Sequence, residues 1–178
     1  GKAPFPFDLL YWNADSTRMP ARMHSFYLRN MYIKNLMGVP GGITLAGVPI
    51  DLSKVKIPAY FISTVEDHIA PWQTTYKGAR YLGGPVRFVL GGSGHIAGIV
   101  NPPAAKKYHY WTNDNFAPTA EEWFAGAKQL PGSWWEDWQA WMERQNADAP
   151  KVPARQPKQA LEDAPGSYAA LRLKRARP

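Results

Sequence analysis

The sequence predicts an α/β fold in which buried strands pair in a parallel sheet. Two apolar runs, residues 57–65 and 86–90, have the near-continuous hydrophobicity of strands that are covered on both faces. A helix-sized segment separates them, as in the usual β–α–β crossover between parallel strands. The first run ends in Glu66 and Asp67, and the second ends in a glycine-rich turn before His95. Ligands of such sheets gather at the carboxyl ends of the strands, so a functional site is expected there.

The segment before the first buried strand predicts one helix and one hairpin. Apolar residues at roughly helical spacing predict a helix from about 21 to 37, which Pro20 can begin and the glycines of residues 38–42 end. Residues 43–50 predict a short hairpin with its turn at Ala46 and Gly47. Residues 1–19 predict irregular structure.

Helices are predicted between and after the two buried strands. Residues 71–82 predict the crossover helix, and the Gly-Gly-Pro of residues 83–85 ends it. Thr119 and Glu122 match a capping box, which predicts the start of a helix at about 120–130. A further helix is predicted at about 133–146.

Three tryptophans share one face of the last predicted helix: Trp134, Trp138 and Trp141. The simplest interpretation is a helix packed onto the body, and the alternative is an exposed aromatic face for a polymer or a partner.

After residue 146 the composition changes to Pro, Ala, Lys and Arg, for which poor order is expected. Residues 1–146 are therefore predicted to be the folded body and residues 147–178 a tail.

Composition restricts the class of protein. A chain of 178 residues is at most one domain with a core. It contains no cysteine, which excludes disulfides and zinc–thiolate sites and fits a cytoplasmic setting. No run of 18 apolar residues exists, so no membrane span is predicted.

The positive charge lies mainly in the tail. The net charge is +7, and residues 151–178 hold seven Lys/Arg against two Asp/Glu, or +5, which leaves +2 for the other residues. No motif for RNA or DNA accompanies this charge, so nucleic acid is not the predicted partner. A basic tail also suits an anionic ligand or lipid surface.

Asp67 and His95 stand in the order in which an α/β-hydrolase supplies the last two members of its catalytic triad. In such a triad the acid orients the imidazole and the imidazole moves the proton. Glu66 is a rival for the acid, because spacing alone does not separate it from Asp67. The nucleophile of such an enzyme comes earlier in the chain, which here would place it outside these residues.

Other polar residues give weaker signals. Ser93 is a poor nucleophile candidate, because His95 occupies the second glycine position of the G-x-S-x-G motif and the serine follows the acid. Lys106 and Lys107 could meet an anionic ligand, although a solvated charged face is the more common role. The histidines lack the spacing of a zinc site, so no metal is predicted.

Several segments together resemble one family closely. They are LYWNADSTRMP at 10–20, FYLRN at 26–30, VEDHIAP at 65–71, GGSGHIAG at 91–98 with NPP at 101–103, WWEDW at 134–138 and APGSY at 164–168. These segments resemble the C-terminal half of a class I polyhydroxyalkanoate (PHA) synthase. The resemblance covers nearly the whole chain, and its segments are more specific than a generic acid–histidine pair.

The resemblance implies an α/β-hydrolase fold, of which this chain holds the C-terminal part: the last strands of the parallel sheet and the C-terminal helices. It implies polymerisation of 3-hydroxyacyl-CoA, in particular 3-hydroxybutyryl-CoA, into polyester by a cysteine acyl-enzyme. His95 matches the catalytic base and Asp67 the catalytic aspartate, which assists His95 or activates the 3-hydroxyl during elongation. Trp12, Asn35 and His68 match positions near the substrate pocket.

The same resemblance implies the partners. They are 3-hydroxyacyl-CoA, the growing polyester, the missing N-terminal half of the enzyme, a second copy in a homodimer and the surface of a cytoplasmic polyhydroxyalkanoate granule. No cofactor is implied, because CoA is the leaving group. The cysteine and its elbow are absent from this sequence, so the fragment alone is expected to be inactive and to fold poorly.

Two alternatives stay open from the residues. A thioesterase, esterase or depolymerase of the α/β-hydrolase class would use the same acid and base with a serine upstream. A non-catalytic module would use the tryptophan helix and the basic tail to bind a granule, an anionic surface or a partner.

Overall fold

A computed structural model describes residues 18–155, 159–164 and 166–171. The chain divides into two compact units, Gly1–Gln145 and Asn146–Pro178. In the second unit the described residues include one short helix, α5 (Ser167–Ala170). All the elements below belong to the first unit.

In the described part of the chain, the main sheet has four strands in the order β3 (Ala59–Thr64), β4 (Val86–Gly91), β5 (His109–Thr112) and β6 (Lys128–Pro131). β3 and β4 are parallel. Ala59 pairs with Val86 at one end of the ladder, and Thr64 pairs with Gly91 at the other. α2 (Trp72–Ala79) connects the two strands. This confirms both predicted strands and the crossover between them.

The sheet is mixed, which corrects the expectation of a purely parallel one. β5 pairs antiparallel with β4, and β6 pairs antiparallel with β5. Neither strand was predicted. The predicted helix at 120–130 ends early, as α3 (Ala120–Ala125), and residues 128–131 form β6. The polar Lys-Gln-Leu-Pro of β6 has no strand pattern of its own, so its conformation depends on pairing with β5, which is distant in sequence.

A helix and a hairpin precede the main sheet in the described part of the chain. α1 (Ala21–Tyr27) continues as a π-helical segment from Leu28 to Ile33, so the helix predicted over 21–37 ends about four residues early. A two-stranded hairpin follows, formed by β1 (Thr44–Leu45) and β2 (Val48–Pro49). Its turn residues Ala46 and Gly47 both have positive φ, at 49° and 80°, as a type I′ turn requires. The predicted hairpin and turn are therefore confirmed.

The hydrophobic core lies on one face of the sheet. Phe88 and Leu90 of β4 pack there with Tyr76 of α2 and Trp123 of α3, and all four are almost completely buried. The capping box predicted for α3 is present: Thr119 Oγ1 accepts from the Glu122 N–H, and Glu122 Oε2 accepts from the Thr119 N–H, each at 3.2 Å.

The helix that follows β6, α4 (Trp135–Gln145), covers the opposite face. The ring of Tyr60 on β3 lies 6.1 Å from that of Trp134 and 5.4 Å from that of Trp141. These contacts confirm that the tryptophan face packs onto the sheet. Trp138 is the exception, because 42% of its surface is exposed. Among the described residues, no helix has the length and hydrophobicity needed to cross a membrane.

Candidate active site

The register of β3 and β4 brings Asp67 and His95 together. Thr64 and Gly91 are partners at the ends of the two strands. The pairing continues beyond them, because the Val65 N–H donates to the Gly91 carbonyl at 2.9 Å and the Glu66 N–H to the Ser93 carbonyl at 3.1 Å. The chain then turns on each side, and Asp67 Oδ2 lies 2.7 Å from His95 Nδ1.

Both carboxylate oxygens of Asp67 are occupied. Oδ1 accepts hydrogen bonds from the N–H groups of Ile69 and Ala70, each at 2.9 Å, and Oδ2 contacts His95. The backbone bond from Ala70, followed by the contact with His95, lowers the pKa of Asp67 to about 2. Asp67 is therefore a carboxylate near neutral pH, and only 8% of its side chain is exposed.

His95 is oriented for proton transfer at its outer nitrogen. Because the Asp67 carboxylate can only accept, the neutral imidazole must carry its proton on Nδ1, which leaves a lone pair on Nε2. Among the described residues, Nε2 has no hydrogen-bond partner, and 46% of the side chain is exposed. This arrangement can act as a general base toward a group that approaches from outside.

The loop that carries His95, residues 92–101, is called the His95 loop below. It lies so close to the sheet that two positions require glycine. A Cβ at Gly98 would collide with the Gly92 carbonyl and with Thr64 Cγ2. A Cβ at Gly92 would come within 2.9 Å of the His109 carbonyl. The glycine signal in the sequence therefore reflects close packing under the loop.

The structure distinguishes between the two candidate acids. The Glu66 side chain is exposed and makes no hydrogen bond or ion pair among the described residues, whereas Asp67 holds His95. Ser93 has φ of 70°, and no hydrogen bond within the described chain joins its hydroxyl to His95. A serine nucleophile would need that contact with its base.

Two of the three predicted substrate-binding residues, His68 and Asn35, lie among the described residues. His68 and Asn35 are exposed, and Asn35 adopts a left-handed conformation after the π-helical segment. In the described part of the chain, no hydrogen bond, ion pair or ring contact joins either residue to Asp67 or His95. Trp12 lies outside the described residues. Binding roles for these three residues stay predictions.

Two tryptophans have a role at the site that the sequence did not indicate. The indole N–H groups of Trp134 and Trp135 both donate to the Ile99 carbonyl in the His95 loop, at 3.1 and 3.0 Å. Asn101, which is buried, donates from Nδ2 to the Lys107 carbonyl at 3.0 Å. The tryptophan spacing predicted a packing face and gave no indication of these N–H contacts.

Three exposed apolar side chains lie close in sequence to the pair, alongside the exposed Glu66 and His68. Ile69, Ile96 and Val100 are neighbours of Asp67 and His95 in sequence, and each is more than half exposed. Among the described residues, no group of three or more His, Asp or Glu side chains could hold a metal ion. The exposed apolar side chains suit contact with an apolar acyl chain or with another protein segment.

The chain is similar to several curated proteins. It is 53% identical over 175 residues to the poly(3-hydroxyalkanoate) polymerase subunit PhaC of Rhizobium meliloti (strain 1021). The aligned residues make up 97% of this chain and 28% of that protein. It is 49% identical to the poly(3-hydroxyalkanoate) polymerase of Methylorubrum extorquens, with 97% and 29% covered, and 45% identical to the polymerase subunit PhaC of Cupriavidus necator, with 94% and 29% covered.

The chain spans just over a quarter of the length of these relatives, a smaller share than the half that the sequence resemblance implied. No model of a protein family matches it.

Proposed function

We propose that this chain supplies the acid–base pair of a poly(3-hydroxyalkanoate) polymerase, because it is homologous to one segment of such polymerases. The carrying observation is the contact between Asp67 Oδ2 and His95 Nδ1 at 2.7 Å, with Nε2 left open. The reaction is the polymerisation of 3-hydroxyacyl-CoA, in particular 3-hydroxybutyryl-CoA, into polyester with release of CoA.

The chemistry needs a nucleophile from outside this chain, which has no cysteine. We infer a cysteine thiol in the remainder of the polymerase. His95 Nε2 takes the thiol proton, and the thiolate attacks the thioester carbonyl. The bond between the acyl carbon and the CoA sulfur breaks, and the proton on His95 passes to the departing CoA thiolate. The acyl group stays on the enzyme as a new thioester.

Elongation repeats the proton transfer with an alcohol. The 3-hydroxyl of one acyl unit loses its proton to the acid–base pair and attacks the carbonyl of another acyl-enzyme thioester. An ester bond forms, and the thiol is regenerated. Asp67 keeps the imidazole in the tautomer with a free Nε2 and stabilises the imidazolium that forms after proton transfer. Its lowered pKa supports this role, because the carboxylate stays charged throughout.

The surroundings of the pair support an apolar substrate. Ile69, Ile96 and Val100 would contact the acyl or polyester chain, and Trp12, Asn35 and His68 would belong to the same pocket in the completed enzyme.

The finer assignment of the fold is part of the proposal. We infer that the chain is the C-terminal part of an α/β-hydrolase domain, because a β–α–β unit delivers an acid and a histidine at neighbouring strand ends. Homodimerisation and association with a cytoplasmic polyester granule are the corresponding proposals for the whole enzyme.

The test is a chimera in which this chain replaces the segment of the Rhizobium meliloti polymerase that it matches. Thiol release from 3-hydroxybutyryl-CoA and polymer formation are measured for the chimera and for this chain alone. Activity with polymer as product in the chimera alone is the expected result. Thiol release without polymer would favour a hydrolase, and release by this chain alone would require an internal nucleophile.

A further inference from the structure

The far end of the His95 loop is held by two indoles from one helix start. Trp134 Nε1 and Trp135 Nε1 both donate to the carbonyl oxygen of Ile99, at 3.1 and 3.0 Å. A carbonyl oxygen has two lone pairs, so these two donors satisfy its capacity. Because the two indole N–H groups approach the Ile99 oxygen from different residues, they restrict its movement in two directions.

The helix that provides these indoles is itself fixed to the sheet. Asp137 of α4 accepts from Arg87 Nε at 2.7 Å and pairs with the second guanidinium nitrogen, and it accepts from the Tyr60 hydroxyl at 2.9 Å. Arg87 and Tyr60 are register partners on β4 and β3. At the start of the helix, Ser133 Oγ accepts the Trp135 N–H at 3.1 Å. These contacts therefore fix the position of the two indoles relative to β3 and β4, the strands that precede Asp67 and His95.

Within the described residues, the two ends of the His95 loop are tied to the body by the hydrogen bonds from the Gly92 N–H to the His109 carbonyl, from the Glu66 N–H to the Ser93 carbonyl and from Asn101 Nδ2 to the Lys107 carbonyl. The contacts of the part between these ends are different. Turn hydrogen bonds join Gly98 to Gly94 and Val100 to Ile96, each at 2.9 Å, within the loop itself. Among the described residues, the His95 ring makes one hydrogen bond, from Nδ1 to Asp67. Ile96 and Val100 are exposed. Between the two tied ends of the loop, the position of the His95 backbone thus depends on the anchor at Ile99 and on the packing of the glycines against the sheet.

We propose that Trp134 and Trp135 form a clamp on Ile99 that positions His95 for proton transfer. This inference rests on the proposed function, in which His95 Nε2 must meet a thiol and then a hydroxyl from a different part of the enzyme. The two tryptophans are positioning residues: they act through the loop backbone and do not contact the reacting atoms. Misplacement of a catalytic group by about 1 Å can lower a rate by about 100-fold.

The test is made in the chimera with the double variant Trp134→Phe, Trp135→Phe. Phenylalanine keeps an aromatic ring for packing and removes both N–H donors. The matched control is Trp138→Phe, because Trp138 lies on the same helix, is partly exposed and makes no side-chain hydrogen bond to the loop within the described chain. For CoA release we expect kcat to fall at least about tenfold in the double variant with KM little changed, and the control to match the unsubstituted chimera.

A second readout does not need activity. Hydrogen–deuterium exchange of the peptide over residues 94–101 is expected to become faster in the double variant and to be unchanged in the control, because the amides of Gly98 and Val100 are protected by loop turns. Unchanged exchange would overturn the clamp. Faster exchange with an unchanged kcat would overturn its positioning role. If the unsubstituted chimera releases no CoA, the proposed function fails, and exchange alone then decides whether the clamp holds the loop.

Discussion

The side chains of Asp67 and His95 meet at 2.7 Å but differ sharply in exposure, with 8% of the acid and 46% of the base accessible. The acid is enclosed by the turn that follows β3, where backbone N–H groups occupy its other oxygen. The base is turned outward from the sheet. A reacting group can therefore approach the imidazole without displacing the carboxylate that orients it.

His95→Ala is expected to lower CoA release by the chimera at least about 100-fold, because general acid–base catalysis typically contributes that much. His24→Ala is the matched control, since His24 lies exposed in α1. Initial rates with 3-hydroxybutyryl-CoA measure the effect. Turnover of the His95 variant at a rate close to that of the control would show that another group is the base.

Asp67→Asn is expected to permit some acyl loading and to block elongation. The amide keeps an oxygen for the turn but loses the charge that stabilises the imidazolium. That loss harms elongation more than loading, because the thiol used in loading is far more acidic than the hydroxyl used in elongation. The measurement compares a first burst of thiol with the later rate of polymer formation. Glu66→Gln is the control, because the exposed Glu66 side chain does not touch His95. Equal elongation by both variants would remove Asp67 from the mechanism.

Stability should depend on pH through Asp67. Hydrogen bonds in the folded chain lower its pKa from 3.8 to about 2, so the carboxylate stabilises the fold above about pH 4. That contribution to stability is lost as the pH falls from about 4 to about 2. The unfolding midpoint of the chimera should therefore drop more steeply with acidification than that of its Asp67→Asn variant. A constant difference between the two curves would contradict the lowered pKa.

The ion pair between Arg87 and Asp137 should contribute more to stability than the pair between Arg87 and Asp114. Asp137 is mostly buried, with 12% of its side chain exposed, and its loss leaves the guanidinium without its main partner. Asp137→Ala is expected to destabilise by about 3 kcal/mol. Asp114 is 98% exposed, so Asp114→Ala is expected to cost less than about 1 kcal/mol. Urea unfolding of the two variants measures both values, and equal losses would contradict the argument.

Glycine at position 98 is expected to be required for both stability and activity. In Gly98→Ala the new methyl group would collide with the Gly92 carbonyl and Thr64, which pushes the His95 loop off the sheet. Gly78→Ala is the control, because nothing lies within 4 Å of a Cβ at that position in α2. The control should gain roughly 0.5–1 kcal/mol. Thermal unfolding and CoA release are measured, and an unaffected Gly98→Ala variant would show that the loop can shift without cost.

Local sequence patterns predicted the elements that determine the site. The apolar runs of β3 and β4, the crossover helix and the strand-end positions of Asp67 and His95 follow from residues that are close in sequence. Spacing alone left Asp67 and Glu66 open, because the choice depends on which side chain the turn directs toward His95, and only the family resemblance indicated Asp67. β6 and the indole contacts with Ile99 also depend on partners distant in the chain.

The two outer strands of the main sheet differ in how they meet their surroundings. β6 carries Lys128 and ends in Pro131, and both residues discourage another strand from adding to that side. β3 has no charged residue and no proline, and among the described residues no strand pairs with its outer side. Within the described residues, β3 therefore presents an open backbone template for self-association. Handling the chain in solution would then favour aggregates that grow through β3, which a charged substitution on that strand should suppress.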